Sequence, residues 1–225
     1  MSDDLKKQAA IAALEEIRDG MVVGLGSGST ASIFIRELGK AGLKVRGIPT
    51  SEESRRIAEE VGIKLTTFSG DPVIDVTVDG ADEVSRELDL TKGLGGALVR
   101  EKIVAHASKR VVIIVDEGKL VEKLGTKTAI PIEVIPLAVP GIRLQLKDAA
   151  IREKNGRPFI SDNGNIILDW KSGPIDNPAA LEKQLKSMTG VVDSGIFAGV
   201  AKLVIVAGSS GIRRLGSSPA PTFHS

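Results

Sequence analysis

Apolar and polar positions in the first half of the chain switch between two rhythms. Leu5, Ala9, Ala12, Ala13 and Ile17 form an apolar stripe at helical spacing and predict an amphipathic helix. Ser2, Asp3 and Asp4 suit its start, because side-chain oxygens and negative charge complement free N–H groups, and Gly20 is placed to end it. Residues 21–25 form a short apolar strand, and residues 31–38 resume helical spacing. Residues 44–48 read as a second strand. Thr50 with Glu53 then forms a capping box that opens a helix over 51–61, followed by a strand near 64–68. The β-branched run 73–78 and the run 110–115 both read as buried strands. Strand and helix in alternation predict an α/β domain with a parallel sheet.

Near Pro131 the rhythm changes. Residues 132–139 read as extended between Pro131, Pro136 and Pro140, and a helical segment covers 142–153. Two short strands, around Phe159 and over 166–170, flank Asp162-Asn163-Gly164-Asn165, a hairpin signal. Pro178 opens a helix over 179–188, a strand follows near 195–198, and 202–207 is β-branched again and returns to the main sheet. The expected organisation is a main domain of residues 1–130 plus 203–225, with a smaller α+β domain of residues 131–202 inserted near the C-terminus. The tail after Gly216, rich in Ser and Pro, reads as mobile.

Composition narrows the classes of function. The 225 residues carry 30 basic and 29 acidic side chains, a net charge of +1, which gives no electrostatic reason for a nucleic-acid or membrane partner. Five Phe, one Trp and no Tyr leave little for base stacking. The absence of Cys removes disulfides, thiolate nucleophiles and zinc–thiolate sites, and His106 and His224 alone do not make a histidine-rich metal centre. No apolar run reaches transmembrane length and the N-terminus lacks a signal-peptide core, so the expectation is a cytoplasmic enzyme or binding protein.

Two stretches carry candidate chemistry. The first strand runs into Gly26-Ser27-Gly28-Ser29-Thr30 and then a helix, an order that aims free N–H groups and a positive helix end at one anion. A P-loop needs Lys and then Ser or Thr after its last glycine, and a dinucleotide loop needs a third glycine and an acid closing the second strand. Ser29 and the Pro49-Thr50 ending fail both patterns. A hydroxyl-rich cradle for a single phosphate remains. The second stretch begins where the run 73–78 ends. It holds Asp79, Asp82 and Glu83, then Lys92, then a turn with Gly93, Gly95 and Gly96, then Glu101 on a helix whose Ala97 and Ala105 share its face. A divalent metal on Asp79, Asp82 and Glu83 is the weaker reading, since neighbours on one turn rarely converge alone. Lys119, past the strand at 110–115, closes a third strand end and is within reach of the same pocket. Carboxylates with Lys92 as electrophile supply general acid–base chemistry: proton abstraction beside a carbonyl on a phosphorylated sugar or polyol.

These residues resemble ribose-5-phosphate isomerases of the A type. The likeness rests on VGLGSGSTA at 23–31, VDGADE at 78–83, KGLGGALVREKIVA at 92–105, IEVIPLA at 132–138 and DNGNIILD at 162–169. It implies a Rossmann-like main domain with a smaller α+β domain, a homodimer or homotetramer, and interconversion of ribose 5-phosphate and ribulose 5-phosphate through an enediol without cofactor or metal. It further implies Glu101 as the proton-transferring base, with Asp79, Asp82 and Lys92 assisting ring opening and stabilising charge. Substrate contacts would come from Lys6, Ser27, Gly28, Ser29, Thr30, Gly80, Ala81, Gly93, Leu94, Gly95 and Lys119. Ser27 stands where Thr is common, and Leu94 interrupts a loop that is often all glycine, a strained substitution if that position has positive φ. A phosphosugar sensor of the same fold, and a sugar-phosphate deaminase or acyl-transfer relative, are the competing readings. The first needs the cradle but no base, and the second other catalytic groups.

Overall fold

The computed structural model describes residues 3–216. They form two compact units, one from the described residues of 1–80, 104–118 and 201–225, the other from 81–103 and 119–200. Segments 81–103 and 119–130, which the sequence assigns to the main domain, group with the second unit.

The first unit holds a seven-stranded sheet: β1 (Val22–Leu25), β2 (Arg46–Pro49), β3 (Lys64–Leu65), β4 (Ile74–Asp79), β5 (Ser108–Asp116), β6 (Leu203–Gly208) and β7 (Gly211–Gly216). Their spatial order is β3-β2-β1-β4-β5-β6-β7, with all pairs parallel except β6–β7. The first six strands follow the doubly wound order 3-2-1-4-5-6. Strand order therefore reverses between β1 and β4, and the carboxyl ends of those two strands, Leu25 and Asp79, flank the crevice where such sheets bind ligands.

β1 and β6 are buried along their whole length, which is why they read as unbroken apolar runs rather than alternating ones. Helices α1 (Asp3–Ala13), α2 (Ser29–Lys40) and α3 (Glu52–Glu60) bury Ala9, Ala13, Phe34, Ile35, Leu38 and Ile57 in the core of this unit. Helix α1 stops earlier than Gly20: a short 3₁₀ turn, Leu14–Glu16, follows it. Gly20, at φ 83°, instead turns the chain into β1 and donates its N–H to the Lys44 carbonyl at 2.8 Å. The capping box of α3 also sits one residue later than the sequence suggests. Ser51 accepts from the Ser54 N–H at 3.1 Å, and Ser54 Oγ accepts from the Ser51 N–H at 2.9 Å. Thr50 is still tied to β1, donating both its N–H and its hydroxyl to the Leu25 carbonyl, each at 3.0 Å.

In the second unit, a four-stranded antiparallel sheet runs in the order Val191–Ser194, Ile130–Val134, Ile166–Trp170, Ala149–Ile151. A three-stranded sheet joins Ile196–Phe197, Leu90–Thr91 and Glu83–Val84. Helix α4 (Leu98–His106) follows the glycine turn, with residues 98–103 in this unit and 104–106 in the first, and α5 (Val139–Gln145) and α6 (Pro178–Ser187) complete the helices. The expected helix over 142–153 ends at Gln145. Asp148 takes a left-handed conformation at φ 63°, and Ala149–Ile151 pairs with Ile166–Trp170 instead, because burial in the sheet outweighs helix propensity. The extended run expected over 132–139 likewise stops at Val134, and Pro136–Ala138 forms a 3₁₀ turn.

The turn at 162–165 is present, but its hairpin shrinks to one bridge, Ile160 with Ile166; the strand expected around Phe159 is Arg157–Pro158, which pairs with Glu153–Lys154 instead. Buried Glu133 organises that turn, accepting from Ser161 Oγ at 2.9 Å, Asn163 Nδ2 at 3.0 Å and Asn165 Nδ2 at 2.8 Å. The expected mobile tail and the Ser2 helix start lie outside the described residues.

A second buried ionic cluster holds α4 in the second unit. Lys102 donates to Glu182 at 2.5 Å, Asp193 at 2.7 Å, and the carbonyls of Ser194 and Ile196 at 2.8 and 2.7 Å. Its ammonium also lies 4.8 Å from the centre of the Phe197 ring. Burial raises the Asp193 carboxyl, but Lys102, Lys186 and the Ser194 N–H outweigh it and hold the group below the usual carboxylate range. Lys102→Met is expected to cost about 3–5 kcal/mol, because it removes the buried ammonium shared by Glu182 and Asp193 and leaves Asp193 only the exposed Lys186. A urea melt of the variant, with a midpoint equal to the wild type's, would remove this account. Because the folded pKa of Asp193 is depressed, its contribution is present above the unfolded value of about 4 and is lost as pH falls through the folded one.

Candidate active site

In the first unit the loop after β1 is set by close approach to β4. A Cβ on Gly26 would stand 2.3 Å from Asp79 Oδ1 and 2.6 Å from its Cα, so only glycine lets the strands' ends meet. Asp79, 2% exposed, accepts the N–H of Ser27 at 3.0 Å and of Gly80 at 2.7 Å on Oδ1. Gly28, at φ 91°, precedes α2, whose first turn has no side-chain cap. The N–H groups there lie beside exposed Ser29 and half-buried Thr30, at a helix start of the kind that suits an anion.

The hydroxyl row is not uniform. Ser27 Oγ bonds Thr50 Oγ1 at 2.7 Å and Ser51 Oγ at 2.8 Å, which ties the loop to the end of β2. Lys6, on α1, pairs with Asp3 at 3.2 Å. A groove of about 440 Å³ elsewhere in this unit lies at the amino ends of β2 and β3, between the ends of α2 and α3, and has no carboxylate in its lining. It is not at the switch point.

In the second unit the decisive contact is between Lys92 and Glu101. Lys92 Nζ lies 3.1 Å from Glu101 Oε1, and both side chains are 5% exposed. Lys92 follows Leu90–Thr91, and its N–H donates to the Gly195 carbonyl at 2.8 Å. Gly195 packs so closely that a Cβ would meet the Lys92 carbonyl at 2.1 Å. Glu101 stands on the first turn of α4 with Ala97 and Ala105 buried on the same face. Phe197 lies beneath the pair, its ring centre 5.6 Å from Lys92 Nζ.

Between them runs the glycine turn, with Gly93 at φ 100° and Gly96 at φ 85°. Leu94 is not left-handed, so the strain its side chain would have brought does not arise; that side chain is exposed. Its N–H donates to Asp82 Oδ2 at 3.0 Å, so the anion that this turn holds is a carboxylate of the chain itself.

Asp82 is partly buried, and burial pushes its carboxyl above the usual range against the pull of the Leu94 N–H and of Lys92, Lys119 and Arg152. Lys119, from the short 3₁₀ turn Glu117–Lys119, lies within electrostatic range of Asp82. Glu83 has other partners. It is fully buried, and its oxygens accept the N–H groups of Gly125 at 2.6 Å, Lys127 at 2.5 Å and Thr128 at 3.0 Å, which is a loop anchor. Among the described residues no group of three or more His, Asp or Glu side chains is arranged to hold a metal ion.

Sequence reasoning missed Arg152 and Phe159. Arg152 Nη1 donates to the carbonyls of Gly93 at 2.7 Å and Leu94 at 2.8 Å, and Nε donates to Asp169 at 2.9 Å. The Phe159 ring covers Gly96, where a Cβ would meet it at 2.4 Å. Arg152 lies 59 residues from Gly93, and no local pattern signals the contact.

The first unit has a doubly wound sheet with an uncapped helix start at its switch point, and the second has a buried carboxylate–ammonium pair; each is a part found in enzymes of acid–base chemistry on small anionic ligands. Similarity to known proteins makes this specific. The family model for ribose 5-phosphate isomerase A (phosphoriboisomerase A) matches residues 46–211, and the chain belongs to that family. A ribose-5-phosphate isomerase A of Gloeobacter violaceus is 49% identical over 227 residues, covering 97% of this chain and 99% of the relative. One from Methanothermobacter thermautotrophicus is 48% identical over 222 residues, covering 94% and 97%. Among solved structures, a D-ribose-5-phosphate isomerase in complex with phospho-erythronic acid superposes with a TM-score of 0.93 at 41% identity, over 96% of this chain and 99% of that one. The enzyme from Methanocaldococcus jannaschii gives 0.91 at 41% identity, over 96% and 100%.

Proposed function

We propose that the chain is an aldose–ketose isomerase that interconverts D-ribose 5-phosphate and D-ribulose 5-phosphate. The observation that carries the reading is the buried Lys92–Glu101 pair at 3.1 Å. In the open-chain aldose, Glu101 takes the proton from C2. Charge moves onto the C1 oxygen, where Lys92 stabilises it, and Glu101 returns the proton to C1. The hydroxyl proton on the C2 oxygen passes to the C1 oxygen, leaving the ketone at C2. No atom is gained or lost.

Asp79 and Asp82 assist ring opening, which needs a base at the anomeric hydroxyl and an acid at the ring oxygen. The raised carboxyl of Asp82 keeps a protonated fraction at a pH where an ordinary aspartate has shed it, which suits the second role. The first turn of α2 with Ser29 and Thr30 takes the phosphate, supported by its uncapped N–H groups. Gly28, Gly80, Ala81, Gly93, Leu94, Gly95 and Lys119 contact the sugar through backbone and charge. Lys6 adds a cation, and Ser27 acts through its hydrogen bonds to Thr50 and Ser51 rather than as a free hydroxyl.

One relative is in complex with phospho-erythronic acid, a phosphorylated sugar acid whose carboxylate puts negative charge at the end away from the phosphate, as the proposed enediolate does. Neither a metal nor a cofactor enters the scheme. Homo-oligomerisation is part of the reading, supported by Leu137 and Leu144 of the second unit, which are 92% and 83% exposed. So is a cytoplasmic setting, in keeping with the absence of a described helix long and apolar enough to cross a membrane.

The test is an isomerisation assay on ribose 5-phosphate with a chelator present. Turnover at undiminished rate is the expected result, and activity that disappears with the chelator would reject a metal-free route.

A further inference from the structure

Arg152 and Phe159 fall outside the acid–base scheme, yet both act on the turn that separates its two partners. The Arg152 guanidinium, 12% exposed, spans two partners: Nε donates to one oxygen of Asp169, and Nη1 donates to the Gly93 and Leu94 carbonyls at 2.7 and 2.8 Å. Its backbone is fixed as well. The Arg152 N–H donates to the Ile167 carbonyl at 2.8 Å, and its own carbonyl accepts from the Phe159 N–H at 2.8 Å. Phe159 in turn lies on Gly96, at the far end of the same turn. Residues 93, 94 and 96 are thus gripped from one short segment, while the Leu94 N–H between them meets Asp82.

We infer that Arg152, held by Asp169, is a positioning residue for the isomerisation: it locks the 93–96 turn so that Lys92, Glu101 and Asp82 keep their working geometry. The inference rests on the isomerase reading and extends it to a residue that touches no reacting atom. A planar fork that donates to two adjacent carbonyls while bound to a carboxylate is a task for arginine, and an ammonium on a shorter stem fills only part of it. The clamp acts mainly on geometry: the phosphate, which carries most of the ligand's charge, is assigned to the helix start after Gly28, and residues 93–95 are assigned only uncharged contacts with the sugar.

Arg152→Gln is expected to lower kcat by about 10- to 100-fold, the scale of a small misplacement of reacting groups. KM for ribose 5-phosphate should stay within about threefold, as for a loss of transition-state geometry rather than of uniform binding. In the ligand-free protein the Leu94 amide should exchange with solvent at least roughly tenfold faster in the variant, with the Ile132 amide unchanged, as local opening of the turn requires. Arg152→Lys should fall between the two in both readouts.

An unchanged Leu94 exchange rate, or a kcat within about twofold of wild type, would overturn the clamp. If Arg152→Gln does not fold, Arg152→Lys is measured in its place, and the same two readouts support or overturn the clamp. A wild-type protein inactive on ribose 5-phosphate would defeat the isomerase reading, and the exchange measurement would still decide the clamp.

Discussion

Replacing Glu101 by Gln lowers kcat for ribose 5-phosphate isomerisation by at least about two orders of magnitude, the contribution of a positioned general base. Gln keeps the size of the side chain and a hydrogen-bonding oxygen toward Lys92, so a misfolded site is not the expected cause. KM should move little, since the phosphate grip is assigned to the start of α2 and the carboxylate works on the C–H bond. Steady-state kinetics with a thermal melt alongside reads both. Full activity in a folded Glu101→Gln protein would remove Glu101 from the mechanism.

Replacing Lys92 by Met has two expected effects that separate in the same experiments. Loss of the cation over the developing oxyanion lowers kcat by about 10²–10³-fold, the cost of one electrostatic donor. Loss of the counter-charge takes from the Glu101 carboxylate the ammonium 3.1 Å away, in a place where its side chain is only 5% exposed. Breaking a buried pair from one side costs about 3–5 kcal/mol of stability. The double variant Lys92→Met with Glu101→Gln removes both charges together and is expected to recover much of that stability while staying inactive. If Lys92→Met melts like the wild type, the pair is not the buried ion pair described here.

What the sequence made legible follows from which signals are local. The buried strands announce themselves as β-branched runs: 73–78 becomes β4 and 110–115 lies within β5. The glycine turn, Lys92 and Glu101 lie within one turn and one helical start of each other, so spacing alone suggests their proximity. The 3.1 Å contact realises that suggestion. Features set by distant partners were not legible. Arg152 reaches the turn only because Ala149–Ile151 leaves its helical propensity to pair with Ile166–Trp170.

Glu83 looks like a third member of an acidic site until the N–H groups of residues 125–128 fold onto it. Ser27 reads as a phosphate hydroxyl, and the end of β2 claims it. Leu94 reads as strained by analogy with glycine, but positive φ falls on Gly93 and Gly96 instead. In each case the residue's chemistry is plain from its type and its partner is not, because the partner lies elsewhere in the chain.

If a carboxylate carries a proton between two carbons through an enediol, the hydrogen on C2 passes through a state that can exchange with solvent. Ribose 5-phosphate is incubated with the enzyme in D₂O, with chelator, over many turnovers, and carbon-bound deuterium is read by NMR. Deuterium is expected to accumulate at C1 of ribulose 5-phosphate, and Glu101→Gln to suppress this exchange in step with isomerisation. Complete retention of the original hydrogen through repeated interconversion would point to a hydride shift and contradict proton transfer by a carboxylate.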